Sequence, residues 1–285
     1  MNRCFLCNNE LAATPFYYNY KEQQIRVVRC VSCGLGTLHP MLASEEVLAL
    51  YNVGYFERDY RCGTTDRSYA EEVEKLKHEA RQFLPIIEKH AGGKRYLEVG
   101  CAGGAMLAEA QHRGFTAIGV EVSREMADWG RKNLHVDIRE GTVEDQKFTN
   151  EAFDVVFLGD VIEHLAHPQE TMLEISRILS GKGIIALAFP MELNGIIPRM
   201  RVVLNFQRES PDKPYHLFYY DLGTMRTLLE QSGFTVVYSR QEKLVRMQSL
   251  RTVLTDLINK SISALTGRFG DRGFIVARKE ATAKR

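Results

Sequence analysis

Short apolar runs alternate along most of this chain with stretches of helical periodicity. Thr116 to Val122, Val136 to Gly141, Phe153 to Gly159, Gly183 to Pro190, Phe234 to Ser239 and Phe274 to Arg278 read as strands. An earlier run, within Arg95 to Gly104 (R-Y-L-E-V-G-C-A-G-G), stops at a turn with three glycines. Helical patterns cover 68–90, 105–112, 169–179, 222–232 and 244–265. Pro85 should kink the first of these or break it in two, and S-G-K-G after Leu179 reads as a stop signal. Strands alternating with helices imply an α/β fold around a parallel sheet.

Two regions depart from the alternation. Between Met191 and Pro214 the periodicity lapses around Asn194-Gly195, three prolines and Arg199, Arg201 and Arg208. A long irregular insertion after a core strand suits a lid or specificity loop. Residues 1–51 form the other region: two strand-like aromatic pieces between 15 and 29, then a helix from Ser44 to Tyr51 with Ser44 as its N-cap. The stretch 51–60 (Y-N-V-G-Y-F-E-R-D-Y) is dense in aromatics and suits either an active-site cover or a strap over the core.

The candidate chemistry lies where the apolar runs stop. A strand that ends at glycines and feeds a helix brings backbone close to a ligand. Glu98 closes the first run, and Gly100, Cys101, Ala102, Gly103 and Gly104 form the turn. Glu121, followed by Val122, ends the next strand, roughly 20 residues on, the distance at which a βαβ unit sets an acid on a ribose diol. Glu144 and Asp145 follow the third strand, and Gly159 and Asp160 close the fourth. Such a row of strand-end acids marks one edge of a parallel sheet.

E-V-G-C-A-G-G, the Glu121 strand end, E-D at 144–145 and F-D-V-V-F-L-G-D-V-I-E-H-L at 153–165 resemble the class I S-adenosylmethionine-dependent methyltransferases over roughly Tyr96 to Phe234. A nicotinamide-binding protein would need glycine where Ala102 stands, and it leaves D-V-I-E-H-L unexplained. The resemblance implies a Rossmann-like seven-stranded sheet with helices on both faces and an antiparallel last strand. It places Glu98 near the donor's ammonium, Glu121 on the ribose, Glu144 or Asp145 at the adenine edge, and Gly159 and Asp160 beside the donor. S-adenosylhomocysteine should bind through the same contacts. His164 of the D-V-I-E-H-L loop, and Tyr215 and His216 of the P-Y-H-L-F element, are the catalytic candidates. A histidine titrating near neutrality would suit His216 to take a proton.

Cys4-Phe-Leu-Cys7 and Cys30-Val-Ser-Cys33, 22 residues apart, can present four thiolates to one ion. Two disulfides or free thiols are the other readings, and a cytoplasmic setting disfavours disulfides. Residues 1–40 are therefore expected as a small zinc ribbon, 41–92 as connector and lid, and 93–285 as the methyltransferase domain with its substrate insertion near 191–220. A ribbon, short helix and aromatic element in this order resemble a subset of the family that acts on sugars and other small metabolites. The ribbon then walls the substrate pocket.

The 285 residues are 45% hydrophobic, enough for one α/β domain and an appendage. Lys+Arg 37 against Asp+Glu 36 leaves +1, which gives no electrostatic case for nucleic acid or an anionic membrane. That weighs against an RNA methyltransferase, and the full set of acids weighs against a scaffold without activity. An N-terminus that turns polar at once and the lack of a long apolar run fit a cytoplasmic protein. His112 and His135 read as surface residues.

Overall fold

The structure is a computed structural model that describes residues 3–51, 69–210, 213–242, 260–263, 265 and 269–280. The aromatic stretch beyond Tyr51, Cys62 and most of the helix expected over 244–265 lie outside the described residues.

Five strands run parallel; a helix returns the chain across the sheet after the first, second and fourth of them, and turns alone join the third to the fourth. They are β4 (Arg95–Val99), β5 (Thr116–Glu121), β6 (Asp137–Glu140), β7 (Phe153–Gly159) and β8 (Leu179–Pro190). Strands β11 (Phe234–Glu242) and β12 (Arg272–Lys279) finish the sheet, with β12 antiparallel to both β8 and β11. The order is β11-β12-β8-β7-β4-β5-β6, and the count of seven strands is the one that the family resemblance implies. The central strands are buried on both faces: Leu97, Val156, Leu158, Leu187 and Phe189 pack into one core, and Tyr96, Val155, Phe157, Ala186 and Ala188 into the other.

Helices α3 (Ala105–His112), α4 (Arg124–Asn133), α5 (Pro168–Ile178) and α7 (Leu222–Gln231) flank this sheet. Helix α2 (Tyr69–His90) runs through Pro85 as one element. Phe83, Leu84 and Ile87 around the proline are buried, and their packing outweighs the missing N–H. S-G-K-G is not a stop either, for β8 starts directly at Leu179.

The amino-terminal part forms a second sheet. Strands β1 (Leu11–Tyr20), β2 (Gln23–Cys30) and β3 (Gly36–His39) are antiparallel neighbours. Helix α1 (Ser44–Leu50) follows, with Ala43 rather than Ser44 at the N-cap; Glu46 reaches back and accepts from the Ala43 N–H at 3.3 Å. The insertion after β8 is not irregular. It contains helix α6 (Ile196–Leu204), whose Pro198 sits in the first turn where no N–H partner is needed, and two short strands, β9 (Arg208–Glu209) and β10 (Phe218–Tyr219). Strand β9 pairs with β1 and β10 with β3, so the insertion and the amino-terminal strands form one five-stranded sheet. The Tyr18 and Tyr219 hydroxyls meet at 2.6 Å in its interior. Among the described residues no helix is long and apolar enough to cross a membrane.

Candidate active site

The turn after β4 carries the strain that such sites concentrate. Gly100 has φ +67 and the non-glycine Ala102 has φ +46. A Cβ on Gly100 would collide with the Val161 side chain, and one on Gly103 would lie 2.5 Å from Tyr69 and 2.7 Å from Trp129. The close approach that the glycines permit is thus made by protein side chains as well as by any ligand. Tyr69 also caps the helix that follows, its hydroxyl accepting from the Ala105 N–H at 3.0 Å.

Glu121 is 4% exposed, and its carboxylate spans two main-chain donors. Oε2 accepts from the Ala102 N–H and Oε1 from the Ser123 N–H, both at 2.8 Å. The left-handed Ala102 is what aims that amide at the acid. Burial raises the pKa of Glu121 and the two N–H groups oppose it. Glu98, 6% exposed, is less well provided for: its Oε2 has no hydrogen-bond partner among the described residues, and burial together with Glu121 pushes its pKa well up. Cys101 is buried and its thiol is pushed up by burial, consistent with a packing role. Val122 leaves the strand and is exposed.

Glu144 and Asp145 are exposed and bound locally. Glu144 accepts from the Thr171 hydroxyl at 2.7 Å, which ties the turn after β6 to α5, and Asp145 caps its own turn at the Thr142 N–H and hydroxyl. At the end of β7, Asp160 has φ +54, and its carboxylate accepts from Arg272 of β12 at 2.9 Å.

Beyond Asp160 the structure brings together residues from three distant segments. A turn of 3₁₀ helix, Ile162–His164, presents Glu163 and His164. The His164 ring lies 4.7 Å from that of His216, edge to face. Nδ1 of His164 donates to the Tyr215 carbonyl at 2.9 Å, which leaves Nε2 without that proton. Nδ1 of His216 sits 3.0 Å from Oε1 of Glu192. Both Nε2 atoms face Oε1 of Glu163, at 3.6 Å from His164 and 4.0 Å from His216. Neither oxygen of Glu163, which is 1% exposed, has a hydrogen-bond partner among the described residues. Burial pushes Glu163 up to about 8 and His164 down to about 3. For His216 burial acts downward, but Glu192 and then Glu163 overcome it and hold the ring at about 9. His216 therefore keeps its proton at neutral pH, unlike the near-neutral histidine that the sequence suggests. Glu192 stands on the solvent side of the cluster, with 43% of its side chain exposed.

Sequence reasoning finds His164, His216 and Tyr215 but passes over Glu163, Glu192 and Tyr69. Glu163 stands inside the D-V-I-E-H-L motif and could have been taken from it. Nothing local marks the other two. Tyr215 contributes its carbonyl, and its ring stands 6.1 Å from that of Tyr51.

The amino-terminal sheet holds this cluster in place. The Leu217 N–H donates to the Glu163 carbonyl at 2.8 Å, and the Leu217 carbonyl accepts from the Leu38 N–H of β3 at 3.1 Å. In the same region the four sulfurs of Cys4, Cys7, Cys30 and Cys33 lie within 4.8 Å of one another. Cys4–Cys33 at 3.6 Å and Cys7–Cys30 at 3.4 Å are near the sulfur separation of about 3.8 Å set by four Zn–S bonds of about 2.3 Å in a tetrahedron. Hydrogen bonds from Asn9 lower the Cys7 thiol to about 6, which favours the ligating thiolate, whereas burial pushes Cys4 and Cys33 up in the absence of a cation. A cavity of about 220 Å³ separates this sheet from the start of α5, lined by Phe5, Leu35, Met41, Ala166 and Phe218 among others.

A family profile described as a methyltransferase domain matches residues 69–239. A ubiquinone biosynthesis O-methyltransferase of Actinobacillus pleuropneumoniae serotype 5b is 34% identical over 116 residues, 36% of this chain and 49% of that protein. The protein of that name from Azorhizobium caulinodans is 29% identical over 118 residues, 39% of this chain and 44% of its own. The chain thus spans less than half the length of these relatives. A crystal structure of a SAM dependent methyltransferase from Archaeoglobus fulgidus shares the fold, with TM-score 0.54 and 19% identity over 73% of this chain and 94% of that one.

Proposed function

The chain belongs to the methyltransferase-domain family, and from that premise we propose that it transfers a methyl group from S-adenosylmethionine to an oxygen of a small metabolite. The observation that carries this reading is the pairing, across Val161, of the glycine turn and Glu121 with the Glu163–His164–His216 cluster. The donor supplies a methyl group on a sulfonium, already a good leaving group, so the protein's task is chiefly alignment.

The residues fit the donor. Two main-chain N–H groups fix Glu121, and its remaining lone pairs suit a ribose diol. The unpartnered Oε2 of Glu98 suits an ammonium. Val122 and the Glu144-Asp145 turn would border the adenine, and Gly159 and Asp160 would flank the donor. On the acceptor side, the cluster would orient a hydroxyl and handle its proton, with His216 as the ring nearest solvent. Roughly 10²–10⁴-fold in rate can come from such proton transfer.

Oxygen as the methylated atom is consistent with the names of the curated relatives. A sugar or nucleotide-linked sugar is the acceptor we favour, because the ribbon and the Y-H-L-F element resemble those of sugar-modifying relatives. We assign the four cysteines to one structural zinc that holds the amino-terminal sheet folded.

Calorimetric titration with S-adenosylhomocysteine tests the reading. Saturable one-site binding that is lost in Glu121→Ala supports it, and no binding by folded, zinc-loaded protein overturns it. With a donor established, His216→Ala should abolish turnover of the acceptor and leave donor affinity intact.

A further inference from the structure

We propose that Glu163, His164 and His216 bind a divalent first-row transition-metal ion, at a site separate from the four cysteines. One ligand atom from each of these residues lies within 4.8 Å of the other two. Bonds of about 2.0–2.2 Å to a shared ion would put the ligand atoms about 3–3.5 Å apart. The two Nε2–Oε1 distances of 3.6 and 4.0 Å need only a small inward turn of side chains to reach that.

Three further observations point to an ion. Both histidines have their far nitrogen fixed, His164 on the Tyr215 carbonyl and His216 on the Glu192 carboxylate. Ligating histidines are held in this way, because the outer hydrogen bond sets the tautomer and the ring plane. Each ring then turns Nε2 inward, toward the same carboxylate oxygen, and an ion bound there displaces the proton that the His216 ring otherwise keeps. Glu163 itself is 1% exposed and neither oxygen has a hydrogen-bond partner among the described residues; the imidazolium of His216, 4.0 Å away, answers its charge without bonding it, and an ion between the rings would do both. Finally, the two halves of the site are preorganised across the 51 residues that separate His164 from Tyr215, through the His164–Tyr215 and Leu217–Glu163 hydrogen bonds.

Two imidazoles and one carboxylate suit a divalent transition ion and, unlike the cysteine site, contain no soft sulfur. Three protein ligands leave a coordination position open. His216 is 25% exposed, so that position has access from solvent. If the methyl-transfer reading holds, an acceptor hydroxyl is the natural fourth ligand; metal binding itself does not depend on that reading.

The test uses the full chain, loaded with one equivalent of zinc at the cysteines and then titrated with Co²⁺. Visible absorption and calorimetry read binding, and S-adenosylhomocysteine affinity is measured in parallel. One further equivalent of Co²⁺ should bind, without the absorption of a cobalt–thiolate bond. Glu163→Gln, His164→Gln and His216→Gln should each weaken it more than tenfold, and Glu192→Gln by about tenfold through the outer hydrogen bond. Absence of a second equivalent in the wild-type protein overturns the proposal, whatever the variants do. So does binding of unchanged affinity in a folded Glu163→Gln protein. Co²⁺ binding without donor binding upholds the metal site and sinks the methyltransferase reading; donor binding without Co²⁺ does the reverse.

Discussion

The two ends of the seven-stranded sheet differ in whether they leave acids without partners among the described residues. Glu121 at the carboxyl end has both oxygens bonded, but two of its neighbours there do not. At the amino end, Asp154 opens β7 and receives the main-chain N–H, Nε and Nη2 of Arg95 and the hydroxyl of Ser180. Hydrogen bonds from Arg95 hold its pKa down, and the absence of a Cβ on Gly93 makes room for the carboxylate. At the carboxyl end, Glu98 and Glu163 are more deeply buried and have oxygens with no partner, and their pKa values are pushed up. A fold gains nothing from the second arrangement. The amino end is built for stability, and the carboxyl end keeps unsatisfied groups available for ligands, as α/β sheets do where their chemistry lies.

Removing the zinc we assign to the four cysteines should sharpen that division most. The amino-terminal sheet holds the carboxyl-end cluster through β3 on Leu217, and its Leu6 carbonyl accepts from Gln231 of α7 at 3.0 Å. Stripping zinc with a chelator, or Cys30→Ser, should unfold this small sheet and remove turnover by two orders of magnitude or more. Affinity for S-adenosylhomocysteine should change less than threefold, since β4, β5 and their turns are elsewhere. A donor affinity that collapses with the zinc would show that the two halves are not independent.

A paired substitution is the next largest effect. Asp154→Asn removes a multiply bonded charge and should cost about 2 kcal/mol in urea unfolding, with turnover per folded molecule unchanged. Glu163→Gln should leave stability unchanged or raise it, because it removes a buried acid whose oxygens have no hydrogen-bond partner among the described residues, while turnover falls about 10²-fold or more. Equal losses of stability in both variants would refute the contrast between the ends.

The halves of the site also differ in how far the sequence discloses them. Glu98, the glycine turn, Glu121 and Asp160 stand at the ends of apolar runs, so strand periodicity alone puts them on one edge. Ala102 is the exception: its left-handed φ, the source of one Glu121 hydrogen bond, has no signal in a residue type that seldom adopts it. The acceptor half depends on contacts between residues far apart in the chain. Strand β10 has two residues and pairs with a strand some 180 positions earlier, and Glu192 follows β8 with no pattern to mark it. Around Pro198 and Pro85 local propensity argues against helix. The first sits where an N–H is dispensable, and packing of Leu84 and Ile87 decides the second.

The smallest effect, and the most direct test of the contrast, is the sign of the pH dependence. Asp154 has a folded pKa below its ordinary value of 3.8, so it binds protons more readily in the unfolded chain. Its stabilisation is complete above that value and is lost as pH falls through the folded pKa. The gap between wild type and Asp154→Asn should therefore be open at pH 7 and close below about pH 3.8. Glu98 has the opposite sign. Its folded pKa lies above 4.5, so the native state retains a proton that the unfolded chain has released, and stability falls as pH rises from 4.5 through the folded pKa. Glu98→Gln should be close to neutral at pH 4.5 and should gain on the wild type as pH rises toward neutrality. Urea midpoints at pH 3, 4.5 and 7 resolve both trends. Gaps that move in the same direction would mean that both ends of the sheet serve stability alike.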